Sequence, residues 1–157
     1  MTPDTRPQVS PAARLLGFAG LLPQAAAVLF LALARGTDLA VSFGPAVAAA
    51  ALVYAAAILS FLGGVWWGFA MRRTDGQGRL AALAVLPSLA AAGLVLAPLL
   101  GSGDRWPFVA LGVAVLLTLP VDRALAASGD APEGWWRLRL RLSLGLGLLT
   151  IAAGLLA

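Results

Sequence analysis

The chain has no cysteine and no histidine among its 157 residues. Without Cys there is no disulfide, no thiol nucleophile and no thiolate metal site. Without His, the usual general base and the commonest metal ligand are gone. A haem, iron–sulfur or zinc centre would have to be built from poor ligands, so no metal and no cofactor is expected. Lysine is missing too: all 11 basic residues are Arg. Beside the richness in Ala, Gly and Leu, this reads as genome composition and not as function. Charge is scarce, at 11% of residues, against about 25% in a soluble domain. The pI near 11.4 does not indicate nucleic acid, because no basic face or stacking platform accompanies it.

What is present is hydrocarbon. Five apolar runs, roughly Leu15–Ala34, Pro45–Met71, Leu80–Leu100, Pro107–Val121 and Leu138–Ala157, are separated by short segments that hold the charges. A soluble chain of this size could not bury so much apolar surface, so its solvent is lipid. Runs of about 20 residues as helices cross about 30 Å of hydrocarbon. The expected architecture is all-α: a polytopic membrane protein with a bundle of five transmembrane helices over residues 15–157. Residues 1–14, with Pro3, Pro7 and Pro11 among polar side chains, read as a disordered tail. The first run is longer than the apolar core of a signal peptide, so it is expected to stay as a helix in spite of the small-x-small Ala32-Leu33-Ala34.

Prolines predict bends. Pro23 frees the Ala19 carbonyl in the first run, and Pro87 frees that of Leu83 in the third. The second run is expected to open at Gly44-Pro45, with Pro in the first turn, and to be long enough to tilt or protrude. Gly101-Ser102-Gly103-Asp104 reads as a tight polar turn. The fourth run is short unless the helix continues through Pro120 to Ser128 and stops at Gly129, the preferred reading. Asp122 and Arg123 would then lie at the membrane interface, as an ion pair or helix-end contact. The fifth begins at Trp135 despite an apolar/Arg alternation, since a lone strand at the membrane would leave its backbone unpaired. Arg137 and Arg141 then share a face.

Arginine placement gives direction. Nine of the arginines fall in the tail, the second-to-third loop and the fourth-to-fifth segment; Arg35 and Arg105 lie on the other side. The positive-inside rule puts the N-terminus in the cytoplasm and the C-terminus outside, in a bacterial inner membrane.

Few residues offer chemistry. Ala56, Ser60, Gly64 and Gly68 recur every fourth position and form a smooth ridge for close helix packing inside the bundle, for a homo-oligomer, or beside a small ligand cavity. Ser143, Gly147, Thr150 and Gly154 make a second small-residue face, able to receive the second helix. The five tryptophans stand at run ends and read as interfacial anchors. Trp135, Trp136, Arg137, Arg139 and Arg141 suit anionic headgroups, or simply signal topology. Gln24, Ser60 and Ser88 are the polar residues from which a cavity at mid-membrane would be lined. Ser60, Ser88, Thr118 and Tyr54 have no visible base, the carboxylates stand at loops or ends, and no catalytic residues are expected. No ionisable group lies mid-run, which counts against a proton relay.

The motifs Leu16-Gly17-Phe18-Ala19-Gly20-Leu21-Leu22-Pro23, Tyr54, Ile58-Leu59-Ser60-Phe61-Leu62-Gly63-Gly64-Val65-Trp66-Trp67-Gly68, Leu86-Pro87-Ser88, Asp122 and Pro132…Trp135-Trp136…Leu138-Arg139 follow one another in this order. In this the chain resembles the bacterial membrane family called domain of unknown function 3429, whose eukaryotic relatives look like the mitochondrial transmembrane protein 69. The second-helix stretch is the most specific part. The resemblance implies a retained first helix and brings no activity. It also implies a His or Arg before the second Trp, where this chain has Trp66, which puts any role of that polar group in doubt here. The expected function is a structural or assembly factor that binds membrane lipids or other membrane proteins. The alternative is a small permease or channel for an uncharged or weakly polar solute, working through the kinked helices.

Overall fold

The computed structural model describes residues 7–98 and 105–157. Its helices are α1 (Pro11–Ala19), α2 (Leu22–Leu33), α3 (Asp38–Ala70), α4 (Gln77–Leu96), α5 (Trp106–Leu117), α6 (Leu119–Ala127) and α7 (Trp135–Leu156). The pairs α1–α2 and α5–α6 each make one span, so the seven helices form five segments long and apolar enough to cross a membrane. Between 11% and 39% of each segment's most apolar window is buried in the bundle. The remaining apolar surface faces outward, as lipid solvation requires, and the protein is a multi-pass, all-helical membrane protein.

The described part of the N-terminal segment is not a free tail. Glu133 N–H donates to the Pro7 carbonyl at 2.9 Å, and Val9 N–H donates to the Glu133 carbonyl at 3.1 Å. Ser10 caps α1 by accepting from Ala13 N–H at 3.1 Å, and Pro11 takes the first turn, where a missing donor has no cost. Residues 1–6, Arg6 among them, lie outside the described residues, as does the expected turn at 101–104.

The bend expected from Pro23 is a break at Gly20-Leu21. Pro23 cannot donate to Ala19, so the ladder stops there and restarts with Pro23 in the first turn of α2. Tyr54 on α3 donates its hydroxyl to the Gly20 carbonyl at 2.6 Å and fixes the break against the bundle. The α3 helix opens seven residues before Pro45, at Asp38. An acid in the first turn favours that start, so Pro45 lies inside the helix and not at its head. At 33 residues α3 is about 50 Å long, well over the hydrocarbon thickness.

The fourth span continues past Pro120, with a break at Thr118, and ends at Ala127. Gly129 follows with φ of 80°, the left-handed stop that a side chain resists. Among the glycines in the Gly63–Gly68 stretch of α3, the one pressed against α4 is Gly63, not Gly64 or Gly68 of the ridge Ala56, Ser60, Gly64 and Gly68. A Cβ on Gly63 would drive into the Ala84 carbonyl, while Gly64 and Gly68 have nothing within 4 Å and face outward. Ala56 and Ser60 do pack inside. The small-residue face Ser143–Gly147–Thr150–Gly154 is buried, but mostly by α5: a Cβ on Gly112 would stand 2.7 Å from the Gly147 carbonyl. The central core runs through Leu52, Ala55, Leu59, Leu111, Val115 and Leu146. A smaller cluster at the arginine-rich end holds Trp66, Ala70, Leu80, Ala84, Leu125 and Ala131.

Candidate functional site

The break at Thr118 sets the site. Thr118 turns its N–H and its hydroxyl back to the Val115 carbonyl, at 3.3 and 2.6 Å. The α6 helix restarts there with Asp122 in its first turn, pointing inward and fully buried. Both carboxylate oxygens are used. Oδ1 accepts from the Trp66 indole of α3 at 3.0 Å, and Oδ2 accepts from Arg139 Nε of α7 at 2.8 Å. Arg139, 7% exposed, also reaches Ser143 Oγ at 3.4 Å and lies over the Trp135 ring, 5.8 Å from its centroid. Phe69 meets that ring edge-on. One carboxylate thus joins three spans. The cluster stands about one turn inside the ends of α3, α6 and α7.

Three expectations change at this cluster. Asp122 does not face out of the bundle but is fully buried, and its partner is Arg139, not Arg123. Successive helix residues do not face each other, so Arg123 points outward and stacks over Trp136 at 6.0 Å. Trp66 is not an interfacial anchor but a buried donor. Arg139 is not a headgroup contact, whereas Arg137 and Arg141 are exposed. Trp136 is half-buried. So is Trp135, whose indole N–H is buried and finds no acceptor among the described residues.

The polar residues proposed for a mid-membrane cavity are not together. Gln24, fully buried on α2, donates to Thr150 of α7 at 3.2 Å, and its carbonyl oxygen has no donor. Ser60 and Ser88 pair at 3.0 Å between α3 and α4. Both are helix-to-helix bonds.

Beyond the helix ends, Arg73 bonds the Asp130 carboxylate and reaches Ser128 Oγ at 3.3 Å; Ser128 also bonds Asp130. Arg73's hydrogen bond, then Ser128's, hold the Asp130 carboxyl below the usual carboxylate range. With Glu133 against Pro7–Val9, this clasp places the N-terminal segment, the α3–α4 loop and the α6–α7 segment at one end of the bundle.

Beside the cluster lies a cavity of about 750 Å³. The break at Gly20-Leu21 lets α1 splay from α3, and the gap lies over α7. Leu16, Phe61, Val65, Leu142 and Leu146 are among its apolar lining, while Trp135, Arg139 and Ser143 give it polar groups toward the arginine-rich end. Leu16 and Phe61 line it yet are 71% and 64% exposed, so it opens sideways.

This order of elements, with the ridge, Trp66, Asp122 and Arg139, extends over nearly all of the match between residues 9–155 and the family described as protein of unknown function, DUF3429. The chain belongs to the DUF3429 family. No curated protein and no solved structure matches it. Among the described residues of this DUF3429 chain, two features thus stand side by side: the buried polar cluster Asp122–Arg139–Trp66 and the apolar crevice next to it. Neither was expected from the sequence, where Pro23 pointed only to a bend in the first span. The first had one legible sign: Arg139, Ser143, Gly147, Thr150 and Gly154 fall on a single helix face.

Proposed function

We propose that this DUF3429 protein is a non-enzymatic, binding component of a bacterial inner membrane, a structural or assembly factor. Its N-terminus and arginine-rich end face the cytoplasm, following the Arg bias. The observation that carries the reading is the lateral crevice between α1, α3 and α7. It is apolar, open sideways at Leu16 and Phe61, and adjoins a well-filled core. Such a shape suits a molecule that arrives from within the bilayer, a lipid or a helix of another membrane protein. The Asp122 cluster supports this as scaffolding: it ties three spans together beside the opening and leaves the carboxylate no free oxygen for a proton relay. The permease reading loses support because Gln24, Ser60 and Ser88 are engaged in two separate interhelical bonds.

The test is photocrosslinking in native membranes with p-benzoylphenylalanine in place of Leu16 or Phe61. Leu89, 64% exposed on α4 and away from the crevice, is the control. Discrete lipid or protein adducts at Leu16 and Phe61, well above those at Leu89, support a binding crevice. Equal adducts at all three positions overturn it.

A further inference from the structure

We infer that α1 is a gate on the crevice: it pivots at Gly20-Leu21 and is latched at its far end by the strand-like bridge between Pro7–Val9 and Glu133. This rests on the binding reading of the crevice and names the element that controls its width, whatever the occupant.

The first span divides into a fixed half and a lightly held one. The fixed half is α2, whose Gln24 and Leu31 are buried and whose Gln24 bonds Thr150 of α7 at 3.2 Å. The other half is α1. Among the described residues, none of its nine is buried, and Leu15, Leu16 and Phe18 are exposed. It meets α7 at Gly17, where a Cβ would stand 3.0 Å from Leu142 Cδ1 and 3.8 Å from Leu138 Cδ1. A bare backbone resting on leucine tips can slide, because the glycine sets no side chain between them. Elements with few buried apolar groups sit at the low end of local stability.

The pivot follows from Pro23. Without a Pro23 N–H the helical ladder is interrupted at the Ala19 carbonyl, and a few residues at such an element end can absorb a hinge rotation. Tyr54 donates to the Gly20 carbonyl at 2.6 Å. This pins the pivot to α3 and leaves rotation as the free movement.

The latch is at the opposite end. Glu133 N–H donates to the Pro7 carbonyl at 2.9 Å, and Val9 N–H donates to the Glu133 carbonyl at 3.1 Å. Gln8 Nε2 donates to the Glu133 carboxylate at 3.1 Å, and Val9 is buried. Ser10 caps α1, so the latched residues run straight into the helix. Their dock is held in place. Ala131 is buried in the cluster with Trp66, Ala70 and Leu125, its N–H donates to the Leu125 carbonyl at 3.2 Å, and Arg73 holds Asp130. The N-terminal strap is thus the partner that lets go. Gln8 and Glu133 are exposed, so water competes for these bonds and each is weak.

The crevice takes Val9, Ser10, Leu16 and Gly17 of its lining from the moving part, and Phe61 and Leu142 from the fixed one. Once the strap is released, the nine residues of α1 form a lever about 14 Å long. Its swing lifts Gly17 off Leu142 and widens the crevice toward the bilayer.

The experiment is electron paramagnetic resonance on the full chain in lipid nanodiscs. The chain has no cysteine, so spin labels attach only where one is introduced. Ala12 on α1 and Leu29 on α2 are each paired with Leu89 on α4 and with Leu148 on α7, all four exposed. The parent should show a main population and a minor, displaced one for the Ala12 pairs, and a single population for the Leu29 pairs. Val9→Pro deletes the N–H bonded to Glu133 and stays apolar. It should raise the displaced population about two- to tenfold, the worth of one hydrogen bond. Gln8→Ala, an exposed change that leaves the packing intact, should raise it in the same direction. Ala12 distances unaltered by both variants overturn the latch, and an equal change in the Leu29 pairs overturns the pivot. The binding reading is tested apart from this, by the adducts at Leu16 and Phe61. Adducts there no stronger than at Leu89 overturn that reading and leave α1 a hinged helix. Specific adducts with Ala12 distances unaltered overturn the gate and leave the binding site.

Discussion

Arg139 donates from Nε to Asp122 Oδ2 at 2.8 Å, and this bond closes α7 onto α6 across 17 positions of chain. Neither residue is near water: Asp122 is fully buried and Arg139 is 7% exposed. Desolvating two charges is unfavourable, and the pair holds because Trp66 takes the second carboxylate oxygen and Trp135 lies under the guanidinium. Removing one partner strands the other. Asp122→Ala or Arg139→Ala is therefore expected to destabilise by about 3–5 kcal/mol. Asp122→Leu with Arg139→Met, which removes both charges and keeps apolar volume, should recover much of that loss. Thermal unfolding of the four proteins in one detergent measures it. If the double change is as damaging as the two single ones summed, the residues act independently and the pairing argument fails.

Two neighbouring glycines of α3, one beside the ridge and one on it, give opposite predictions. Gly63→Ala puts a methyl into the Ala84 backbone carbonyl, which cannot move without shifting α4. Overpacking of this kind costs about 1–3 kcal/mol. Gly64→Ala meets nothing within 4 Å and removes a flexible helix glycine, for a gain of about 0.5–1 kcal/mol. Melting temperatures of the two variants should move in opposite directions. A loss at Gly64 equal to that at Gly63 would place an interface on the outward side of α3.

How much of this was legible follows from what each residue answers to. The five spans were readable because lipid forces a continuous apolar run, whatever the tertiary structure. Gly129 was readable as a stop because the left-handed turn is a local demand. The start of α3 was not, because Pro45 is tolerated inside a helix that Asp38 begins further upstream. Asp122 was misplaced because its neighbour Arg123 offered a local partner, while its real partners, Trp66 and Arg139, come from other spans. Arg139 was closer to hand: Arg137 and Arg141 share a face, and a residue two positions on is turned about 200° from the first. Placing those two outward already turns Arg139 inward, onto the face of Ser143 and Gly147.

The clasp outside the membrane gives a pH dependence. Asp130 is held below its ordinary range by Arg73 and Ser128. A carboxyl with a lowered folded value binds protons more readily when unfolded. Its contribution is thus fully present above the unfolded value, near 4, and fades as pH falls through the folded one. Amide protection factors at residues 128–134, corrected for the intrinsic rate at each pH, should stay high at pH 6 and fall below pH 4. Arg73→Gln should remove most of that dependence, since Arg73 is the larger cause of the shift. The pair is partly exposed, so the effect should also shrink as salt is raised. An unchanged exchange profile in the variant would assign the acid response to another group.

Tyr54 is the remaining control on the crevice. Its hydroxyl meets the Gly20 carbonyl at 2.6 Å, where the first span breaks. Pro23 forces the break, and among the described residues the Tyr54 hydrogen bond ties it to α3 at Gly20, which lines the inner end of the cleft. Tyr54→Phe keeps the ring and loses the bond, a change worth about 0.5–1.5 kcal/mol. Its local effect should exceed its global one, because α1 makes few other contacts with the bundle. Spin labels at Ala13 and Val65, which both line the crevice, should report a broader distance distribution in the variant while the melting temperature falls only slightly. A distribution as narrow as the parent's would mean that α1 is positioned by Glu133 and the N-terminal segment, and not from the kink.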